Sequence, residues 1–215
     1  MATKIKLTIL LLMLFTSAKS QMYTEGDKFR IGLKAGPAIS MLGGNALSKP
    51  SLHFGFTGGL YYKYKFKHGF HFQTEISPTL RGSRFDNGPT GYNKFTLLYM
   101  DMAQLVLKDF QSGDHTHAGV LGLQPSVLVQ SWVYNPVYLL SPAARDVKLN
   151  AIDLFLVFGY QYSKKIVGIQ SVIKIGLTNI NRGLNMYDVG GLPLQPATNN
   201  SGNIRNISWE TTLSF

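Results

Sequence analysis

Residues 54–66, FGFTGGLYYKYKF, and residues 70–76, FHFQTEI, decide the fold. Apolar side chains take the even positions of both: Phe54, Phe56, Leu60, Tyr62, Tyr64 and Phe66, then Phe70, Phe72, Ile76 and Leu80. The odd positions carry His53, Thr57, Lys63, Lys65 and Lys67, then His71, Gln73, Glu75, Thr79, Arg81 and Ser83. A period of two marks β-strands with one apolar and one polar face, and helical spacing fits neither stretch. Both strands put even residues on the apolar face, so the turn between them must be odd in length. A three-residue turn at His68-Gly69-Phe70 is expected, setting Lys63 opposite Glu75 and Tyr64 opposite Thr74.

The alternation extends both ways. Upstream, Phe29, Ile31, Leu33, Ala35, Pro37, Ile39 and Met41 alternate with Arg30, Gly32, Lys34, Gly36, Ala38 and Ser40. Downstream, strands are expected over Phe95–Phe110, Ala118–Tyr134, Asn150–Tyr162, Ile166–Asn181 and Asn203–Phe215, making eight in all. Phe95–Phe110 is apolar on both parities, which leaves open whether Asp101 or Gln104 points inward. Pro125 removes a ladder donor and points to a bulge, and Pro37 and Pro78 raise the same question in their own strands. The sixth strand is apolar on even positions (Ile152 to Tyr162) and the seventh on odd ones (Val167 to Leu177). A two-residue turn at Lys164-Lys165 then pairs Tyr162 with Val167 and Phe158 with Ser171.

These strands exceed the ~5–6 residues usual in globular sheets and suit the ~9–11 that a tilted strand needs to cross a bilayer. Short turns alternate with long connections rich in Gly, Pro, Asn and Ser: Leu42–Leu52, Asp86–Lys94, Asn135–Leu149 and Arg182–Gly202. Gln111–His117 belongs by order to the short side. The expected fold is all-β, an eight-stranded antiparallel up-and-down transmembrane β-barrel.

Composition agrees. The chain has 215 residues, 45% hydrophobic, 12% aromatic and 15% charged, with no Cys. One domain of ordinary size is implied, and bulk disorder is excluded. The missing Cys rules out disulfide scaffolds, thiolate zinc sites and Cys nucleophiles. Lys4 and Lys6 precede the apolar run Leu7–Phe15, and Ala18-Lys19-Ser20 supplies small residues at −3 and −1. Residues 1–20 are therefore expected to be a signal peptide and 21–215 the barrel domain. The formal net charge is +10, and the leader holds Lys4, Lys6 and Lys19, which leaves +7 for the remainder. Export removes nucleic acid from the expected partners.

Soluble and membrane barrels both alternate, so other features decide which face meets lipid. Tyr64, Phe66, Phe70, Phe72, Tyr160, Tyr162 and Phe215 gather on the apolar face at the short-turn end, where an interfacial girdle belongs. The polar face mixes Gly with charges of both signs, as a thin lumen would. The last strand places Ile207, Trp209, Leu213 and Phe215 outward and Asn206, Ser208, Glu210, Thr212 and Ser214 inward.

Gly32-Leu33-Lys34-Ala35-Gly36-Pro37 resembles the GLKAG-type first strand of the PorT-like outer-membrane β-barrel family of Bacteroidota. The Phe54–Glu75 hairpin, Tyr99-Met100-Asp101-Met102 and Ile175-Gly176-Leu177-Thr178-Asn179-Ile180 resemble further segments of that family. Asp101 stands for its usual Glu, and Ala103 for its usual Pro. The resemblance implies an integral place in the outer membrane of a Gram-negative envelope. It also implies a C-terminal insertion signal at Trp209, Leu213 and Phe215, read by the outer-membrane insertion machinery.

Reaction chemistry is sparse. His115-Thr116-His117 puts two imidazoles on one strand face with no third ligand beyond Asp114, so no metal site is expected. His53, Ser51 and Asp86 form a trio that chance explains as well as catalysis does, and neither enzyme activity nor a cofactor is expected. Lys34, Lys63, Glu75, Arg81, Lys174 and Glu210 read as a charge network filling the lumen, since any one buried alone would be costly. Closure makes the first and last strands neighbours, so Glu210 is expected to meet Lys34 or Lys174. The expected role is structural, an interaction platform, or an accessory to envelope assembly or secretion. Its partners would be outer-membrane lipid and an envelope or secretion protein, and a small-solute channel is the alternative.

Overall fold

The computed structural model describes residues 28–44, 50–86, 92–112, 115–134, 149–164, 167–180 and 203–215. Residues 1–27, which include the expected signal peptide, and most of the long connections, with the apolar residues they contain, lie outside the described residues. Strands occupy β1 (Phe29–Gly43), β2 (Pro50–Ser51), β3 (His53–Lys65), β4 (Phe70–Asp86) and β5 (Tyr92–Ser112). They continue as β6 (His115–Tyr134), β7 (Ile152–Lys164), β8 (Val167–Gly176) and β9 (Arg205–Ser214). The sheet order is β2-β4-β3-β1-β9-β8-β7-β6-β5, and a β4–β5 pairing closes it. The two-residue β2 continues β3 upward along β4, so the barrel has eight staves, each antiparallel to its neighbours.

The registers wind the barrel. A path from Lys34 runs through Gly59, Ser77, Asp101, Ser126, Asp153, Thr178 and Ile204, and returns to β1 at Gly44, ten residues higher. Eight strands with this stagger make a barrel so narrow that its own side chains fill it. Such tight coiling needs glycine at some positions. A Cβ on Gly36 would overlap the carbonyl oxygen of Thr211 and lie 2.8 Å from Thr212 Cα.

Two expected registers slide by two residues. Lys63 faces Gln73 and Tyr64 faces Phe72, because the three-residue turn is Lys67–Gly69 and not His68–Phe70. His68 (φ 61°) and Gly69 (φ 72°) take the left-handed backbone that tightens this turn, and the Phe66 N–H donates to the Phe70 carbonyl, 2.8 Å. In the other hairpin Lys164 faces Val167 and Phe158 faces Ile173, in place of the expected Tyr162–Val167 and Phe158–Ser171 pairs. Both slides preserve parity, and every side chain keeps its face.

None of Pro37, Pro78 and Pro125 shifts the register of its strand. Pro37 and Pro78 lie in stretches where one ladder skips while the register on either side is unchanged. Pro125 also keeps register, opposite Leu154. The bulge in β6 falls four residues further on, where Leu98 pairs with Gln130 but Tyr99 with Leu128, leaving Val129 as the extra residue.

Burial alternates along the staves, and on β1, β3, β4, β8 and β9 the more polar parity is the buried one. In β8 Gly168, Gln170, Val172, Lys174 and Gly176 are buried between exposed Val167, Ile169, Ile173 and Ile175. In β9 Asn206, Ser208, Glu210, Thr212 and Ser214 are buried between exposed Ile207, Trp209 and Leu213. Asp101 settles the ambiguous strand: it is wholly buried, and Gln104 points outward, where it accepts a hydrogen bond from Thr74, 2.9 Å. The ten steps from Phe70 to Leu80 on β4 rise ~25 Å at ~3.3 Å per residue and a tilt near ~40°, the height of an apolar membrane band.

Candidate functional site

The lumen is the site. Its central layer is built from Arg81 on β4, Asp101 on β5, Lys174 on β8 and Glu210 on β9, all at 0–1% exposure. The Arg81 guanidinium pairs with Asp101 and, at 3.2 Å, with Glu210. Lys174 lies 2.6 Å from Glu210 and 3.8 Å from Asp101. Asp101 also accepts hydrogen bonds from Thr79 and Ser126, each 2.7 Å. Two cations and two anions thus bridge the interior from staves on different sides of the barrel. The Arg81 guanidinium lies 4.5 Å from the Phe155 ring centroid and 5.5 Å from that of Tyr99.

A second pair lies beside this layer. Lys34 bonds Glu75, whose other oxygen accepts from Gln73 at 2.6 Å. Glu210 therefore meets Lys174, one of its two expected partners, and Arg81. Lys34 takes Glu75 instead: β1 and β9 are staggered so that Lys34 faces Ser214 and Glu210 faces Ala38. Of the six charges read as a network, Lys63 alone stands outside this paired core. It is half-buried at the short-turn mouth, directly opposite Arg30.

Apolar side chains complete the filling. Leu42, Phe95, Leu97, Tyr99, Ile180 and Ile204 cluster at the long-loop end, with Leu128 and Leu149 against them. Ala103, Leu105, Leu107, Ala118, Val120, Phe155, Val157 and Val172 form a second cluster on the β5–β8 side. Neither cluster was legible in the sequence, since Leu97, Leu105 and Leu107 sit on the polar parity of a strand apolar on both. Two inward apolar runs facing each other, one on β5 and one on β7, were the available signal.

The other candidates are dispersed. His53 is buried with Nε2 3.2 Å from Thr96 Oγ1, and the Ser51 hydroxyl donates to the Arg84 carbonyl at 3.4 Å. They share no relay, and the Asp86 side chain is outside what is described. His115 and His117 lie on the outward parity at the short-turn rim, hydrogen-bonded to Tyr162 (2.8 Å) and Tyr160. Among the described residues no three His, Asp or Glu side chains gather as a metal cluster. Trp209 is half exposed on the outer face and donates to Ser171 Oγ, 2.8 Å. Leu213 and Phe215 are exposed below it.

A closed antiparallel barrel with charges inside and Phe, Ile, Leu and Trp outside defines the class of membrane-spanning β-barrels. The chain belongs to the outer membrane protein beta-barrel domain family, whose model matches residues 18–182. No curated protein matches it. Among solved structures it is similar in fold to the outer membrane protein OprG from Pseudomonas aeruginosa. Identity there is 9%, over 86% of this chain and 93% of OprG, with a TM-score of 0.50. Ail, the attachment invasion locus protein of Yersinia pestis, matches at 13% identity over 88% of this chain and 98% of its own, TM-score 0.46. Neisserial surface protein A matches at 11% identity over 87% and 98%, TM-score 0.43.

Proposed function

We propose that this protein is an integral barrel of the Gram-negative outer membrane, delivered by a signal peptide, whose lumen is sealed. It serves as a structural or interaction platform, in the manner of an accessory to envelope assembly or secretion. The observation that carries this reading is the quartet Arg81–Asp101–Lys174–Glu210, which spans the interior with every member buried. A conducting pore needs a continuous wet path, and an eight-stranded barrel has no width to spare beyond its own side chains. The PorT-like segments around Gly32–Pro37 and Tyr99–Met102 support placing it among the envelope accessories of that family. The long connections all leave the described strands at one end of the barrel, and that end is the one at which a partner would be read.

Single-channel recording in planar bilayers tests the sealed lumen. The wild-type barrel should give no discrete current steps, and regular steps would favour the small-solute channel instead. Co-purification from native membranes with a stable envelope protein would support the platform role.

A further inference from the structure

The five acidic side chains described, Glu75, Asp101, Asp109, Asp153 and Glu210, all lie on the inward parity of their strands. The outward face carries no described carboxylate, yet at the short-turn rim of β6 and β7 it carries imidazoles and an ammonium. His115 stands opposite Lys164, His117 opposite Tyr162 and Gly119 opposite Tyr160, all on that face. Each tyrosine leans one pair toward the rim. The Tyr162 hydroxyl is 2.8 Å from His115 Nδ1, and Tyr160 bonds His117 Nδ1 in the same way. The His115 and Tyr162 rings stack with centroids 5.5 Å apart. Neither Nε2 has a hydrogen-bond partner among the described residues.

Polar groups on a lipid-facing surface need a partner from outside the fold. With the phenol donating to Nδ1, the ring proton sits on Nε2, so each imidazole presents one donor away from its tyrosine. The two histidines are one same-face repeat apart, ~6.6 Å, and Lys164 is ~5 Å across from His115 at Cβ. One phosphate, accepting on separate oxygens at ~2.8 Å, bridges such gaps. One step further into the bilayer Gly119 leaves a notch, where a Cβ would meet nothing nearer than Phe110 Cε2 at 3.7 Å. Leu121, exposed beyond it, continues the same line. Lys108 walls the notch on the β5 side and is held by the His68 carbonyl and the Phe70 ring, which leaves Lys164 as the cation for a ligand.

We infer that this patch binds one anionic phospholipid, its phosphate on His115, His117 and Lys164 and an acyl chain along Gly119 and Leu121. A glycerol headgroup fits better than choline or ethanolamine, whose cation would face Lys164 with no described carboxylate to receive it. The setting in a bilayer rests on the membrane reading proposed above, whereas the phosphate chemistry does not.

The test titrates the full barrel in neutral detergent with phosphatidylglycerol or phosphatidylcholine of the same chains, and counts bound lipids by native mass spectrometry. Wild type should retain one phosphatidylglycerol, about tenfold more tightly than phosphatidylcholine. Lys164→Gln, and separately His115→Phe with His117→Phe, should abolish that preference, and Gly119→Leu should weaken both lipids alike. Lys65→Gln, at the same rim on the lumen parity, should change nothing, and neither should Asp114→Asn in the adjoining turn. The heat-modifiable gel shift checks that each variant is folded, and Lys164→Gln, at an exposed position, carries the test if the histidine pair does not fold. Equal binding of the two lipids by wild type, or equal loss in Lys65→Gln, would overturn the site. A gain of affinity in Asp114→Asn would show that the turn acid is the partner of Lys164 and would overturn it too. Displacement by inorganic phosphate at the lipid's own concentration would make the ligand a soluble anion and overturn the lipid assignment. A barrel that stays folded and soluble without detergent would sink the membrane reading itself, so the two readings fail separately.

Discussion

Replacing Glu210 by Gln tests the lumen energetics at their most buried point. Glu210 has no solvent exposure, and its carboxylate takes Lys174 at 2.6 Å on one oxygen and Arg81 at 3.2 Å on the other. Gln keeps the shape and some hydrogen bonding but removes the charge, leaving two buried cations to share Asp101. Breaking a buried pair by deleting one partner typically costs ~3–5 kcal/mol, against under ~1 for an exposed pair. Lys174 already lies 3.8 Å from Asp101 and can lean on it, so the lower half of that range is expected, ~3 kcal/mol. The assay is urea unfolding in detergent or lipid, followed by Trp fluorescence and by gel shift. Adding Lys174→Gln should restore part of the loss, because the double variant removes one charge of each sign. The two changes should couple by at least ~1 kcal/mol. A loss below ~0.5 kcal/mol, equal to that of a surface-loop control, would show that Glu210 is solvated and would refute the closed charge layer.

Gly36→Val should lower the folded yield sharply, because its Cβ would overlap the Thr211 carbonyl, and a heat-modifiable band of wild-type intensity would contradict this. Lys34→Gln should cost ~3 kcal/mol by stranding buried Glu75. Lys63→Gln, by contrast, should cost nothing or stabilise slightly, since it relieves repulsion with Arg30. Equal losses for the two lysines in parallel urea melts would show that the paired core and the mouth do not differ. Asp101→Asn, which leaves Arg81 with Glu210 alone, should destabilise at least as much as Glu210→Gln by the same measurement.

How far the sequence carries depends on which symmetry of the strand is at stake. Parity is legible residue by residue: Lys34, Glu75, Arg81, Lys174 and Glu210 can be assigned to the lumen because a one-residue error would expel the whole polar set. Register is less legible, since sliding Lys63 from Glu75 to Gln73 leaves every residue on its face, and only the left-handed turn at His68-Gly69 decides it. Contacts across the lumen are the least legible. That Arg81 reaches both Asp101 and Glu210 depends on the stagger accumulated around all eight staves, which no single hairpin reveals. Leu97, Leu105 and Leu107 blurred the parity of β5 for a related reason: part of the interior is apolar, so that strand has no polar face over much of its length. The sequence offers a charge network, and the described side chains form one around Arg81 and Glu210. The chemistry visible in both is electrostatic.

The central claim is that the barrel is turned inside out relative to a soluble one, with Trp209 on lipid and Glu210 beside it in the lumen. Fluorescence quenching by brominated lipid tests this most directly. With Trp132→Phe, Trp209 is the sole remaining indole of the two in the chain. In vesicles of phosphatidylcholine brominated along the acyl chain, the account predicts strong quenching of Trp209 emission and a spectrum shifted to the blue. Emission unchanged by bromine, with a spectrum typical of a water-exposed indole, would mean that the apolar face does not meet the bilayer.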